Sequence, residues 1–363
     1  MIRRCFALAF AAISFTTPVL ASPAASVVET KYIDSAVLKQ NRVGLELHRS
    51  VKVYLPPGYA GSKARYPVIY LLHNINWSND RIFAPGTAAQ PTFDRAIARG
   101  VIKPFIVVAP DYTSPAVGPM YANSTTSGMW EDFTLLEVVP FIDANYRTLA
   151  SAESRGITGD GFGAFGALRY AFEHPEVFSV TYGMHPVGTG PGLVPMYSRP
   201  NWNKVRGARS FAELMGDPAD PYTPIFVAMA QTFLPNPDRP PFYCDFIVDL
   251  AAEPARLNVA NSVLLKSRFM LEKTAADNVG NLGKLRGIKF DWGRYDPNQD
   301  HVYANQAFTR KLEELGIDHE ADEFRGLPWD KYWIDDGRIY TEVLPFFARH
   351  LSMVPGGETG KTN

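Results

Sequence analysis

Five consecutive residues near the middle of the chain, Gly159-Asp160-Gly161-Phe162-Gly163, have the spacing of a nucleophile elbow. In such an elbow, G-x-S-x-G, a serine stands on a sharp turn between a strand and a helix, and its hydroxyl attacks an acyl carbon. The central position here is Gly161, which has no side chain and supplies no nucleophile. The backbone N–H of Phe162 is expected to point into the site as an oxyanion donor. The motif therefore predicts a scaffold for acyl transfer without its serine.

Asp160 is an alternative nucleophile one residue earlier, a carboxylate of the dehalogenase type. An elbow centred on Asp160 needs small residues two positions before and after it, and those positions hold Thr158 and Phe162. Glycines flank Gly161 at both corresponding positions, and glycine tolerates the unusual φ and ψ of such a turn. We therefore centre the elbow on Gly161 and place Asp160 among the ligand-binding candidates.

Three further residues are candidates for acid/base chemistry. The segment F-D-W-G-R-Y-D ends at Asp296, and His301 lies five residues later. A carboxylate beside an imidazole acts as an acid/base pair on water or on a substrate proton. His185 follows another predicted strand and is a ligand-binding candidate. The alternatives are that His301 is a loop residue at a helix start and that His185-Pro186 is a turn.

The segment Asp296 to Asp300 also has the D-x-N-x-D spacing of a calcium loop. Its next residue is His301 rather than glycine, and Ala307 stands where a bidentate glutamate is needed. The histidines offer no pair with metal-ligand spacing on one helix. We therefore expect neither a metal nor a cofactor.

Short apolar strands alternate with helices and must position these residues. Runs rich in valine, isoleucine and aromatics are typical of buried parallel strands. Strands are predicted at 49–55, 67–72, 105–109, 154–158, 177–182, 288–292 and 320–324, and helices at 93–99, 132–142, 164–173, 303–315 and 339–351. The alternation predicts an α/β fold, a doubly wound, mostly parallel sheet with its site at the carboxyl ends of the strands.

From about residue 188 to 283 the alternation stops, with many prolines and then a helix-like segment at 263–275. The segment has neither repeats nor low complexity, which favours a cap or lid inserted between two strands. Its aromatic residues are expected to pack within the lid, and those that face a pocket would suit an apolar, aromatic or carbohydrate ligand. They are Trp202, Tyr222, Phe226, Phe233, Phe242 and Tyr243.

Four motifs, taken in order, resemble the putative-esterase family of α/β-hydrolases, which includes esterase D, feruloyl esterases and enterochelin esterase-like proteins. They are V-Y-L-P-P-G-Y at 53–59, V-I-Y-L-L-H at 68–73, L-E-V-V-P-F-I-D-A-N-Y-R-T at 136–148, and F-G-A-L-R-Y-A-F-E-H-P-E-V-F at 165–178. The resemblance covers most of the chain outside the insertion. It implies the α/β-hydrolase fold and an ester-hydrolysing ancestry.

The resemblance also implies a catalytic triad and shows where this chain departs from it. The triad aspartate corresponds to Asp296, whereas the serine position holds Gly161 and the histidine position, in E-F-R-G-L-P-W-D, holds Pro328. The family's His-Gly-Gly oxyanion turn begins here with His73 and Asn74, which we expect at the ligand site. Because a triad acts as a unit, the two replacements predict the loss of most serine-dependent turnover.

The N-terminus has the pattern of an export signal, with two arginines, an apolar run at 5–15 and Val19-Leu20-Ala21 before Ser22. We expect cleavage after Ala21 and a periplasmic or secreted protein, with an esterase-like domain at 22–354 and a disordered tail at 355–363. The apolar run is too short for a membrane anchor.

Charge and cysteine content narrow the function classes. The chain has 36 basic and 37 acidic residues, which gives no footprint for nucleic acid. Cys5 would leave with the signal, so Cys244 is left without a disulfide partner.

Three hypotheses remain: a pocket kept for binding, a rearranged enzyme that uses Asp296, a nearby histidine and water, and a protein that keeps only the fold. A compact set of Asp296, His301 and His185 would favour the enzyme, and a blocked pocket would favour a protein that keeps only the fold. The sequence leaves the oligomeric state open.

Overall fold

An eight-stranded sheet dominates the computed structural model, which describes residues 25–85, 87–330, 332–334 and 336–353. The predicted signal and the tail at 355–363 lie outside the described residues. The strands are β1 Val27–Asp34, β2 His48–Leu55, β3 Val68–Leu72, β4 Ile106–Pro110, β5 Arg155–Asp160, β6 Val180–Met184, β7 Gly287–Gly293 and β8 Glu320–Phe324. Their order is β1-β2-β4-β3-β5-β6-β7-β8. The β1–β2 and β2–β4 pairs are antiparallel and the others are parallel, which confirms the predicted mostly parallel sheet.

Helices connect these strands and cover both faces of the sheet. The α-helices are Asn79–Ile82, Ala89–Ala98, Trp130–Asp132, Val139–Asn145, Phe162–Glu173, Trp202–Gly207, Tyr222–Phe233, Val259–Phe269, Leu271–Asp277, Val279–Leu282, Gln299–Glu314 and Leu344–His350. Turns of π-helix at Phe133–Val138 and Ile339–Val343 lead into two of them. Short 3-10 turns lie at Val37–Lys39, Ala152–Ser154, Met196–Ser198 and Phe211–Leu214, and short strand pairs join Asn123–Ser124 to Gly128–Met129 and Val248–Asp249 to Arg256–Leu257. None of the helices in the described ranges is long and apolar enough to cross a membrane.

Strand β3 shows how the sheet is buried on both sides. Val68, Tyr70 and Leu72 belong to one hydrophobic core, and the alternating Ile69 and Leu71 belong to the other. A strand places successive side chains on opposite faces, so an unbroken apolar run is the sequence expected of a strand covered twice. The helix Phe162–Glu173 packs in the first core and the helix Leu344–His350 in the second, so the sheet is doubly wound.

The long segment between β6 and β7 corrects one predicted element. The helix expected at 263–275 is two helices, because the backbone at Met270 is extended, with φ −74° and ψ 126°. The N–H groups of Leu271 and Glu272 donate to the carbonyl oxygens of Gly188 and Thr189, at 2.9 and 3.0 Å. These bonds tie the second helix to the chain leaving β6, so a tertiary contact overrides the continuous helical pattern.

Candidate functional site

The elbow predicted around Gly161 is present in the backbone. Strand β5 ends at Asp160, the helix begins at Phe162, and Gly161 between them has φ 55° and ψ −114°. A Cβ on Gly163 would lie 2.2 Å from the Leu72 carbonyl oxygen, which explains that flanking glycine. The strand, sharp turn and helix of a nucleophile elbow are therefore all formed, with glycine at the strained position.

The side chain of Asn74 occupies the space above Gly161. Its Oδ1 accepts hydrogen bonds from the backbone N–H groups of Phe162 and Ile75, at 3.0 and 2.8 Å. A Cβ on Gly161 would lie 2.5 Å from Asn74 Nδ2 and 2.6 Å from its Oδ1. The N–H after the elbow and an N–H after β3 are the two donors of an oxyanion hole in this kind of scaffold. The Phe162 N–H, which was expected to point into the site as an oxyanion donor, is thus already bound to Asn74.

His73 supports this turn and does not line the cavity above the elbow. It is buried, its Nδ1–H donates to the Asn74 carbonyl oxygen at 2.9 Å, and its Nε2 accepts from the Tyr112 N–H at 2.9 Å. Burial lowers the pKa of His73, which keeps the imidazole neutral in this arrangement. From the sequence, His73 was expected at the ligand site. Both of its ring nitrogens are engaged by backbone groups, so its role here is to position Asn74.

Asp296 joins the loop after β7 to two histidines. Its Oδ2 accepts from His185 Nε2 at 2.8 Å and from His301 Nδ1 at 2.7 Å, and its Oδ1 accepts from the Asn298 N–H at 2.8 Å. Burial opposes ionisation of this carboxyl, but the hydrogen bonds from His185 and His301 outweigh it and lower the pKa of Asp296 below its usual value. The three residues form the compact set that favours an enzyme among the hypotheses drawn from the sequence.

The hydrogen bonds assign a different role to each histidine. The Gly293 N–H donates to His185 Nδ1 at 3.2 Å, so Nε2 carries the proton that His185 shares with Asp296. Both nitrogens of this buried ring are used, which makes His185 a positioning residue. His301 shares its Nδ1 proton with Asp296, and its Nε2 accepts from Asn298 Nδ2 at 2.9 Å. The His301 side chain is 31% exposed, so it is the better candidate for a general base.

Asn298 donates to the lone pair of His301 Nε2, and Arg199 orients Asn298. In the sequence, Asn298 stood out as part of the D-x-N-x-D spacing alone, and Arg199 did not stand out. An Arg199 guanidinium N–H donates to Asn298 Oδ1 at 3.1 Å, which turns the Asn298 amide nitrogen toward His301. Arg199 also pairs with Asp300 and lies over the Tyr222 ring, 4.8 Å from its centroid. Neither residue could be assigned this role from the sequence, because an Asn in a loop and an Arg in an insertion are common on protein surfaces.

A cavity of about 720 Å³ brings these groups together between the elbow and the insertion. Of the predicted site residues, Asn74, Gly161, Phe162, His185, Asp296 and His301 line it. The larger part of its lining is apolar and includes Trp77, Tyr222, Phe226, Met229, Phe269 and Trp329. Tyr222 and Phe226 are thus the two predicted lid aromatics that reach the cavity. An apolar pocket with a few convergent polar groups has the usual make-up of a small-molecule site.

Asp160 and Pro328 lie beside the cavity and do not line it. Burial outweighs Arg81 and Trp329, which favour ionisation of Asp160, and raises the pKa of that carboxyl to about 7. Pro328 is buried, whereas its neighbour Trp329 reaches the cavity, with its ring 6.2 Å from that of His185. From this loop, therefore, position 329 and not position 328 presents a side chain to the cluster around Asp296.

Comparisons with known proteins agree with this architecture. A sequence model described as putative esterase matches residues 44–325. Esterase Rv1288 of Mycobacterium tuberculosis is 36% identical over 137 residues, which cover 34% of this chain and 26% of that protein. The chain thus spans about a quarter of that relative's length.

Two solved structures show the same fold. A ferulic acid esterase superposes with a TM-score of 0.62 at 20% identity and covers 90% of this chain and 99% of its own. A CE1 ferulic acid esterase from Anaeromyces mucronatus, solved in complex with ferulic acid, superposes with a TM-score of 0.50 at 14% identity and covers 92% of each chain.

Proposed function

Because this chain belongs to the putative-esterase family of α/β-hydrolases, we propose that it binds a small ligand in the cavity above Gly161 and does not hydrolyse esters through a serine. The position of Asn74 carries the proposal. Its carboxamide lies where a serine side chain would start and accepts both backbone N–H groups that would stabilise an oxyanion. Acyl transfer therefore has no nucleophile in this site, and its oxyanion meets donors that Asn74 already occupies.

The lining of the cavity favours an aromatic acid or its ester as the ligand. Trp77, Phe226 and Phe269 supply flat apolar area, and Asn74 and His301 supply polar groups. A related fold was solved in complex with ferulic acid. Ferulate and methyl ferulate therefore match the cavity in chemistry and are the first ligands to test.

We expect methyl ferulate to bind the purified protein without being hydrolysed. Binding is measured by isothermal titration calorimetry, turnover by chromatography, and serine reactivity by a fluorophosphonate probe, which is expected to leave the protein unlabelled because position 161 is glycine. A substitution that blocks the cavity, Met229→Trp, is the control and should abolish binding. Labelling of a serine together with ester turnover would refute the proposal, as would undisturbed binding in Met229→Trp.

A second candidate function is water activation by His301 and Asp296. The 2.7 Å hydrogen bond between His301 Nδ1 and Asp296 Oδ2 makes Nε2 the basic nitrogen of His301, and a water reaches it when the 2.9 Å hydrogen bond from Asn298 Nδ2 opens. A carboxylate that orients an imidazole and stabilises its protonated form is the arrangement of a general base. A hydrolase or lyase of this type needs both residues and no serine.

We also propose that the protein is exported, to the periplasm or beyond the cell. The charged start, the apolar run and the small residues before Ser22 support this. Expression of the full chain with fractionation is expected to give a mature form that begins at Ser22 or within a few residues of it. Edman sequencing of the exported fraction checks the prediction, and a mature protein that retains Met1 would contradict it.

A further inference from the structure

The oxyanion hole of this protein is formed but occupied from within. The two donors converge on one atom, Asn74 Oδ1, at 3.0 Å from Phe162 N and 2.8 Å from Ile75 N. An oxygen that accepts two backbone N–H groups at these distances has the surroundings of an oxyanion or a carboxylate oxygen. We propose that the Asn74 carboxamide is an internal stand-in for a ligand oxygen, that an acid displaces it on binding, and that Asn74 thereby sets the affinity of the cavity for carboxylates.

The contacts of Asn74 allow such a displacement. Its side chain lines the cavity, and among the described residues its Nδ2 donates to no protein acceptor. The carboxamide is therefore held by the two bonds at Oδ1, and a ligand oxygen that replaces it restores both. Rotation of Asn74 away from Gly161 also leaves open space there, because the glycine has no Cβ. The exchange then costs little more than the reorientation of one side chain.

The position of the two donors favours a negatively charged occupant over a neutral one. Phe162 is the first residue of the twelve-residue helix Phe162–Glu173, so its N–H lies at the positive end of the helix dipole. The two carboxylates that line the same cavity are both paired, Asp296 with His185 and His301 and Asp300 with Arg199. A ligand carboxylate thus gains charge-assisted bonds that the neutral Asn74 oxygen does not make.

This inference rests on the proposed function, since it concerns the ligand of the same cavity, and ferulate is the probe that tests it. In Asn74→Ala no side chain occupies the oxyanion hole, so ferulate is expected to bind about tenfold more tightly than to the parent. A tenfold change in Kd corresponds to the net free energy of about one hydrogen bond. Asn74→Ser, whose hydroxyl is too short to reach both donors, should tighten binding in the same direction. The matched control is Asn41→Ala, which removes a carboxamide outside the cavity whose Oδ1 likewise accepts two backbone N–H groups, those of Gly44 and Leu45. It should leave the ferulate affinity unchanged.

A ligand-free measurement separates the two proposals. Amide hydrogen exchange at Phe162 and Ile75 is expected to accelerate about tenfold in Asn74→Ala and to stay unchanged in Asn41→Ala, because Asn74 and not Asn41 covers these donors. Unchanged exchange in Asn74→Ala would overturn the internal occupancy. Faster exchange without tighter ferulate binding in either Asn74 variant would overturn the displacement. In both cases the proposed function is judged separately, by whether methyl ferulate binds the parent.

Discussion

Gly161→Ser on its own is expected to yield a destabilised protein that a fluorophosphonate does not label, whereas the same change with Asn74→Gly is expected to fold well. A side chain at 161 would begin 2.5 Å from Asn74 Nδ2, and the backbone there has φ 55°, which costs about 1–3 kcal/mol for a non-glycine residue. Removing the Asn74 side chain relieves the clash and frees both oxyanion donors. The two substitutions should therefore be strongly non-additive in the free energy of unfolding.

A serine at 161 also needs an imidazole, and the structure changes where one should be introduced. The family resemblance points to position 328, but Trp329 is the residue of this loop that reaches the cavity and lies beside His185. In the Asn74→Gly, Gly161→Ser background, Trp329→His is expected to give the larger gain in probe labelling, and Pro328→His the smaller. The gain follows from proton removal from the serine, which contributes roughly 100-fold or more in such sites.

Urea denaturation and fluorophosphonate labelling followed by peptide mapping check these expectations. Gly161→Ala is the matched control, because it has the same clash and backbone strain as Gly161→Ser and no hydroxyl. Equal stability of Gly161→Ser with and without Asn74 would show that the carboxamide does not fill the serine space. Labelling at position 161 in the folded triple variant with Pro328→His, and none in the one with Trp329→His, would restore the original alignment of Pro328.

The elbow and the sheet could be predicted because close packing dictates their residues. Gly163 lies so near the Leu72 carbonyl that only glycine fits, and such a constraint is visible in the sequence as a fixed spacing. The cluster of Asp296 and His185 was predictable in outline, since the carboxyl ends of parallel strands meet at one edge of the sheet. Strand β6 ends at Met184 rather than at Tyr182, and this places His185 directly at that edge.

The occupied oxyanion hole could not be predicted, because it depends on where one side chain points. Asn74 was placed at the site by its position after β3, but nothing in the sequence states that its Oδ1 binds Phe162 and Ile75. His73, the residue before it, turns toward Tyr112 instead, so neighbours in one motif have opposite roles. Trp329 was missed for the same reason, since the motif directed attention to Pro328.

Asp296→Ala is expected to lower the free energy of unfolding by about 3 kcal/mol, and Asp296→Asn by clearly less. The carboxylate accepts from His185, His301 and the Asn298 N–H, and its removal leaves buried donors without an acceptor, at about 1–3 kcal/mol for such a group. Asparagine keeps one acceptor oxygen, so it loses less. If the protein proves to have hydrolase or lyase activity, both variants and His301→Gln should abolish it.

The pH dependence distinguishes the charge of Asp296 from its packing. The folded-state pKa of Asp296 lies below the value of about 3.9 expected for the unfolded chain, so the folded state binds fewer protons. Its contribution is therefore complete above about pH 5 and is lost progressively as the pH falls through the pKa of the unfolded chain toward the lower pKa of the folded state. The stability difference between the parent and Asp296→Asn should shrink in that direction, whereas the exposed control Asp238→Asn should show little difference at any pH. Urea denaturation from pH 6 to pH 3 measures both, and a constant difference between the parent and Asp296→Asn would mean that Asp296 acts through its shape alone. Because His301 depends on the same ionised oxygen for its orientation, such a result would also remove the water-activation mechanism.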